Sequence, residues 1–190
     1  TLREPKILQG GTVAKFDCVI ANPPFSLKRW GETEWRNDKY DRNIWGTPSD
    51  KVGADFAWIQ HMVQSMKPGT GRMAVVMPQG VLFRGNEEGG MRKKMVQTDM
   101  LEAVIMLGEK LFFGTGLSPC IMILRRVKPQ EHSSRVLMVD ASKILTVRRA
   151  QNELSPENVQ EIYQHYLDYT DKEDVSRVVT LQEIEEKDFV

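Results

Sequence analysis

The chain has 190 residues, 41% hydrophobic and 27% charged, enough for one packed core and too few for two large domains. Mean hydropathy is mildly negative, no stretch nears the ~18 uninterrupted apolar residues of a membrane span, and no basic and apolar leader is visible, so membrane and secretory classes are set aside and a cytoplasmic setting is expected. Net charge is zero but uneven: residues 1–150 hold 23 Lys and Arg against 15 Asp and Glu, and residues 151–190 hold 3 against 11, which suits a basic body beside phosphates and an acidic tail away from them.

Phe16 to Ala21 is a short apolar run rich in β-branched residues that stops at Asn22-Pro23-Pro24. It predicts a buried strand ending in a sharp turn. Residues 28–53 are polar, with Trp30, Trp35, Tyr40 and Trp45 interleaved with Arg29, Arg36, Lys39 and Arg42. A segment this long without a hydrophobic period predicts a functional or disordered loop. Asp55 to Lys67 carries Phe56, Ile59, Met62, Val63 and Met66 at helical spacing. Residues 72–77 predict a second buried strand, residues 87–98 a mostly polar helix, residues 101–107 a third strand and residues 120–124 a fourth.

Helices between strands predict parallel neighbours joined by right-handed crossovers, as in half of a doubly wound α/β sheet. The fourth strand follows the third closely and is expected to run antiparallel at one edge. Beyond it, residues 136–139 predict a short strand. Ser155-Pro156 has the pattern of an N-cap followed by proline at the first helical position, and Thr180 and Glu183 have capping-box spacing. The chain divides at this level into residues 1–128, a catalytic-domain part, and residues 129–190, an acidic extension.

Cys18 and Cys120 sit in apolar runs and are expected to be reduced core thiols. His61, His132 and His165 are scattered, so no metal site is expected. Arg92-Lys93-Lys94 is expected to be a solvated helix face.

The run Asn22-Pro23-Pro24-Phe25 carries the chemistry. The exocyclic amino group of a base is a poor nucleophile because its lone pair is delocalised into the ring. Two acceptors that hold both N–H groups draw that nitrogen toward tetrahedral geometry. The Asn22 side-chain oxygen and the Pro23 carbonyl suit this task, and two prolines fix the turn before the base arrives. Phe25 offers a flat face for a base taken out of the duplex, a stacking worth ~1–3 kcal/mol. Within the following loop, Lys28, Arg29, Trp30 and Arg36 are the candidate DNA contacts.

On these residues the chain resembles the modification (M) subunit of type I restriction–modification systems, adenine-N6 DNA methyltransferases. FDCVIANPPFSLK (residues 16–28) is similar to the catalytic motif, and residues 54–85 to the helix–strand pair after it. Residues 91–126, with the connector LFFGT, and VLMVDASK (residues 136–143) extend the likeness into the acidic stretch up to Asp188-Phe189.

The resemblance implies the C-terminal half of a Rossmann-like S-adenosylmethionine-dependent sheet, in a fragment of a longer chain. It implies methyl transfer to N6 of adenine in DNA. Asn22, Pro23 and Pro24 would form the amino-group clamp, Phe25 the stacking face and Phe113 part of the pocket wall. DNA, a specificity (S) subunit and a restriction (R) subunit would be the partners.

The family's glycine-rich donor loop has no counterpart here. Gly10-Gly11, Gly69-Thr70-Gly71 and Gly114-Thr115-Gly116 do not open a helix after a strand. The fragment alone is therefore expected to be inactive. The alternatives are a protein-glutamine or RNA methyltransferase with the same clamp, and a non-catalytic module that binds DNA or a partner.

Overall fold

A computed structural model of the chain describes residues 1–112 and 116–190. Two short strands, β1 (Leu8–Gln9) and β2 (Thr12–Val13), form a hairpin apart from the main sheet. The sheet consists of β3 (Cys18–Ala21), β4 (Arg72–Pro78), β5 (Leu101–Leu107), β6 (Pro119–Arg125), β7 (Arg135–Ala141) and β8 (Ser176–Thr180). Its order is β3-β4-β6-β5-β7-β8. The pairs β3–β4 and β5–β7 are parallel, and the other three are antiparallel.

The helices are α1 (Glu32–Arg36), α2 (Asp55–Ser65), α3 (Asn86–Gln97), α4 (Pro156–Asp168) and α5 (Leu181–Glu186). On α2, Phe56, Ile59, Met62 and Val63, with Met66 just past its end, are buried against Met73, Val75 and Met77 of β4. Burial of each such side chain contributes about 1.5–3 kcal/mol before the entropy of ordering is counted. Met91 and Met95 of α3 join the same core. The opposite face is covered over β5 and β7 by α4, whose Ile162 joins Ala103, Ile105, Leu137 and Val139.

Three expectations are corrected by the sheet. The strand 120–124 does not lie at an edge. The crossover through α3 carries β5 one strand position past β4, and β6 returns antiparallel into that gap, pairing on both sides. The run 16–21 is not a buried strand. Among the described residues Cys18–Ala21 pairs with β4 alone, Phe16 adds an isolated bridge to Met66, and Ile20 is 77% exposed. For the same reason Cys18 is an exposed thiol, whereas Cys120 in the central β6 is buried and its thiol is pushed up to about 12 by that burial.

The segment 28–53 is ordered around buried side chains. Trp30, Trp35 and Trp45 are buried, and Trp30 meets Trp35 edge to face with centroids 5.8 Å apart. These rings serve packing rather than nucleic-acid stacking. Arg92 also departs from its expected solvated face. It is buried, and its Nη1 donates to the Arg84 carbonyl at 2.7 Å. Lys93 and Lys94 beside it are exposed.

Both predicted helix starts form. The Asn158 N–H donates to Ser155 Oγ at 3.2 Å and the Ser155 N–H donates to Asn158 Oδ1 at 3.0 Å. At α5 the Glu183 N–H donates to Thr180 Oγ1 at 3.1 Å and the Thr180 N–H to Glu183 Oε2 at 2.8 Å. A register shift between Leu101 and Ala103 turns Glu102 inward. There its carboxylate accepts from Arg125 Nε at 2.8 Å and Tyr166 Oη at 2.7 Å, tying β5 to β6 and α4.

Candidate active site

β3 delivers the chain to Asn22 at the carboxyl end of the sheet, beside its parallel neighbour β4. Open α/β sheets hold ligands at such ends. Asn22 and Pro24 are exposed, Pro23 is buried and Phe25 is half-buried. Neither the Asn22 side chain nor the Pro23 carbonyl accepts a hydrogen bond from another described residue. Two acceptors therefore stand uncommitted on a turn whose φ angles are fixed by consecutive prolines.

The Phe25 ring meets Phe112, with centroids 6.1 Å apart and planes at 69°. This T-shaped contact braces Phe25 from the connection between β5 and β6. The family resemblance points to Phe113, which lies outside the described residues. Among the described residues, its neighbour Phe112 reaches Phe25.

Behind the turn, Ser26 adopts a left-handed φ of 49°. Its N–H donates to Asp55 Oδ1 at 2.6 Å and its Oγ to Asp55 Oδ2 at 3.1 Å. Asp55 is fully buried, and Arg84 Nη2 donates to its Oδ2 at 2.7 Å. The Ala54 N–H donates to the Leu27 carbonyl at 3.1 Å. Gly53 lies flat against Ser26, where an added Cβ would come within 2.8 Å of the Ser26 carbonyl carbon. The two ends of the segment 28–53 are thus stitched together directly after Phe25. Asp55 and Arg84 escape sequence reading because an acid opening a helix and an arginine after a strand have commoner uses.

Arg84 Nε also lies 3.1 Å from Glu88 Oε2. Glu88 is buried, and neither of its carboxylate oxygens accepts a hydrogen bond from a described residue. Burial pushes its carboxyl up to about 7, against the pull of the Arg84 charge and with a further push from Asp55. The folded state then keeps a proton that the unfolded chain releases near 4.5. Stability falls as pH rises from there to about 7, and the cost is complete above it. Glu88→Gln should raise the unfolding free energy of the full-length protein by about 2 kcal/mol at pH 8 and by little at pH 4.5. Urea midpoints at the two pH values measure this. An equal shift at both would mean that Glu88 stays charged in the fold.

Of the four candidate DNA contacts, Lys28, Arg29 and Arg36 are exposed, while Trp30 is buried and its ring is unavailable to a base. Lys28 Nζ donates to the Lys51 carbonyl at 2.6 Å, and Arg36 pairs with Glu32 at 2.8 Å. Lys28 and Arg29 follow Phe25 on the same loop, so two cations stand beside the turn.

Of the three glycine pairs that sequence offers, Gly114-Thr115-Gly116 lies partly outside the described residues, and the other two form turns. Gly10 and Gly11 turn the β1–β2 hairpin, and Gly69 to Gly71 join α2 to β4 with Gly71 pressed on the Lys67 backbone. Neither turn opens a helix toward the Asn22 end. An apolar cavity of about 300 Å³ lies beneath α3 and α5, lined by Leu82, Met95, Val104, Val136 and Phe189, and includes none of Asn22 to Phe25. Among the described residues no three His, Cys, Asp or Glu side chains gather as a metal site.

The family model described as N-6 DNA Methylase matches residues 1–190. The type I restriction enzyme MjaVII methylase subunit of Methanocaldococcus jannaschii is 36% identical over 198 residues, an alignment covering 100% of this chain and 33% of that protein. The HindI methylase subunit of Haemophilus influenzae is 32% identical, covering 93% of this chain and 40% of its own length. Among solved structures, the type I restriction-modification system methyltransferase subunit from Streptococcus thermophilus superposes with a TM-score of 0.87 at 31% identity, over 99% of this chain and 39% of that one. The chain spans about a third of the length of the curated relatives it matches.

Proposed function

This chain belongs to the N-6 DNA methylase family, and from that premise we propose that it carries the target-base half of a type I modification subunit, a DNA adenine-N6 methyltransferase. The observation that carries the reading is the pair of uncommitted acceptors, Asn22 Oδ1 and the Pro23 carbonyl, followed by the braced ring of Phe25. An adenine taken out of the duplex stacks on Phe25 and offers its amino group to the turn.

Asn22 and Pro23 each accept one N–H. This withdraws the lone pair from conjugation and aims it away from the turn. As the nitrogen gains its new bond to carbon it becomes cationic, and both acceptors stabilise the polarised N–H groups until one proton leaves to solvent. S-adenosylmethionine would supply the methyl group, its S–CH3 bond breaking as the new N–CH3 bond forms and S-adenosylhomocysteine leaving as a neutral thioether.

Lys28 and Arg29 would meet the phosphates that flank the extruded base. A specificity subunit would choose the DNA sequence and a restriction subunit would cleave, in the cytoplasm. No helix among the described residues is long and apolar enough to cross a membrane.

The test is the full-length subunit, assembled with its specificity partner, given methyl-labelled S-adenosylmethionine and duplex DNA. Label is expected in N6-methyladenine after digestion to nucleosides. Label confined to protein glutamine or to RNA would replace this reading with that of a related methyltransferase using the same clamp. Absence of any transfer would favour a non-catalytic module.

A further inference from the structure

Resting on the reading of Asn22 to Phe25 as the clamp for the base, we propose that the Asp55–Arg84 pair is the positioning element that holds this turn in its working geometry. Ser26 immediately follows Phe25 and sits at φ 49°, a conformation that L residues with a side chain rarely adopt unaided. Its N–H and its Oγ both end on the Asp55 carboxylate, at 2.6 and 3.1 Å. A residue held at both its backbone and its side chain fixes the direction in which the chain leaves Phe25.

An acid at the first position of a helix ordinarily serves the helix's own N–H groups. Asp55 does not. Among the described residues its carboxylate takes its hydrogen bonds from Ser26 and Arg84, and none from α2. It is fully buried, so its charge must be met locally, and Arg84 meets it at 2.7 Å.

Arg84 is itself seated by Gly80, where an added Cβ would fall 2.6 Å from its Nε. Gly53 closes the other side of Ser26 and has a left-handed φ of 100° of its own. Ser26 is thus pressed between a backbone that admits no side chain and a carboxylate that is clamped in turn. Release of either partner of the pair lets Ser26 relax to an ordinary φ and swings Phe25 and the Pro23 carbonyl out of line. Asp55 is fully buried, so it acts through Ser26 and not on a base directly.

The experiment compares wild type, Asp55→Asn, Arg84→Gln and Asn22→Ala in the full-length subunit with its specificity partner, by labelled methyl transfer to DNA. Asp55→Asn keeps the shape and one acceptor but loses the charge and the second acceptor. Its kcat is expected to fall about 10- to 100-fold, the scale of an ångström-sized misplacement, while KM for DNA and for S-adenosylmethionine stays within about threefold. Arg84→Gln should show the same split with a smaller loss, about 3- to 10-fold.

Thermal melting separates positioning from unfolding. If Asp55→Asn does not fold, Arg84→Gln, altered at a partly exposed side chain, decides the matter. Unchanged kcat in either folded variant, or a loss that lies wholly in KM, overturns the proposal. If Asn22→Ala is inactive while these variants match wild type, the positioning role fails alone. If Asn22→Ala is fully active, the clamp itself is misassigned.

Discussion

Asn22→Ala in the full-length subunit is expected to lower kcat for methyl transfer by about 10²- to 10³-fold, the usual scale for removal of one preorganised hydrogen-bonding partner from a reacting centre. The side chain is exposed and accepts nothing from the described residues, so its loss leaves no buried group unsatisfied and should hardly change stability. KM for DNA should move little, because the contact tightens only as the amino nitrogen leaves the plane of its ring. Phe25→Ala should behave differently. Loss of a stacking face worth ~1–3 kcal/mol weakens the hold on the extruded base before chemistry begins and appears in KM as well as kcat. Asn22→Asp retains an acceptor and should lie between wild type and alanine. Single-turnover transfer of labelled methyl groups measures all three. Transfer by Asn22→Ala at the wild-type rate would end the clamp mechanism.

The turn that carries this prediction was the most legible part of the chain, and for a local reason. Two consecutive prolines halt a β-branched run wherever they occur, so strand end and rigid turn can be read without neighbours. Helix starts were legible on the same ground, since Ser155 with Pro156 and Thr180 with Glu183 satisfy their own backbone groups within three residues. Strand order was not. The position of β6 depends on how far α3 carries the chain across the sheet, which no pattern within Pro119–Arg125 reveals.

β8 (Ser176–Thr180) went unseen because five residues, with only Val178 and Val179 apolar, make too short a run to show a period. The exposure of Cys18 and Ile20 was hidden for a related reason. A β-branched run looks the same in a central strand and in an edge strand. At the site, the groups that brace Phe25 and Ser26 come from distant stretches, Phe112 on the ring and Asp55 with Arg84 on the serine, and only the assembled sheet brings them to the end of β3.

The segment 28–53 shows how far one residue type can mislead and another can organise. Its aromatics beside Arg and Lys suit stacking on nucleic acid as sequence, yet three of its four large rings are buried, and one of them, Trp35, packs against Arg42. Its guanidinium is fully buried and donates to the carbonyls of Thr1 and Leu2 at 2.9 and 2.8 Å. It pairs with Asp38 at 2.5 Å and lies 4.7 Å from the centroid of Trp35. One planar cation thereby joins the first residues of the chain to α1 and to the loop.

Arg42→Met should therefore cost about 3–5 kcal/mol, because it strands the buried Asp38 carboxylate and leaves two carbonyls unmet. Asp38→Asn combined with Arg42→Met should cost less than the sum of the single changes, since no uncompensated charge is then left inside. His61, held down to about 4 by burial and by the Arg42 charge, should titrate upward once that charge is gone. Because the loop closes on Ser26 and Asp55, the damage should reach the active turn. Limited proteolysis of the full-length subunit should cut within residues 28–53 far faster in Arg42→Met, and kcat should fall with it. A loop that resists the protease as well as wild type would show that the tryptophans hold it without the arginine.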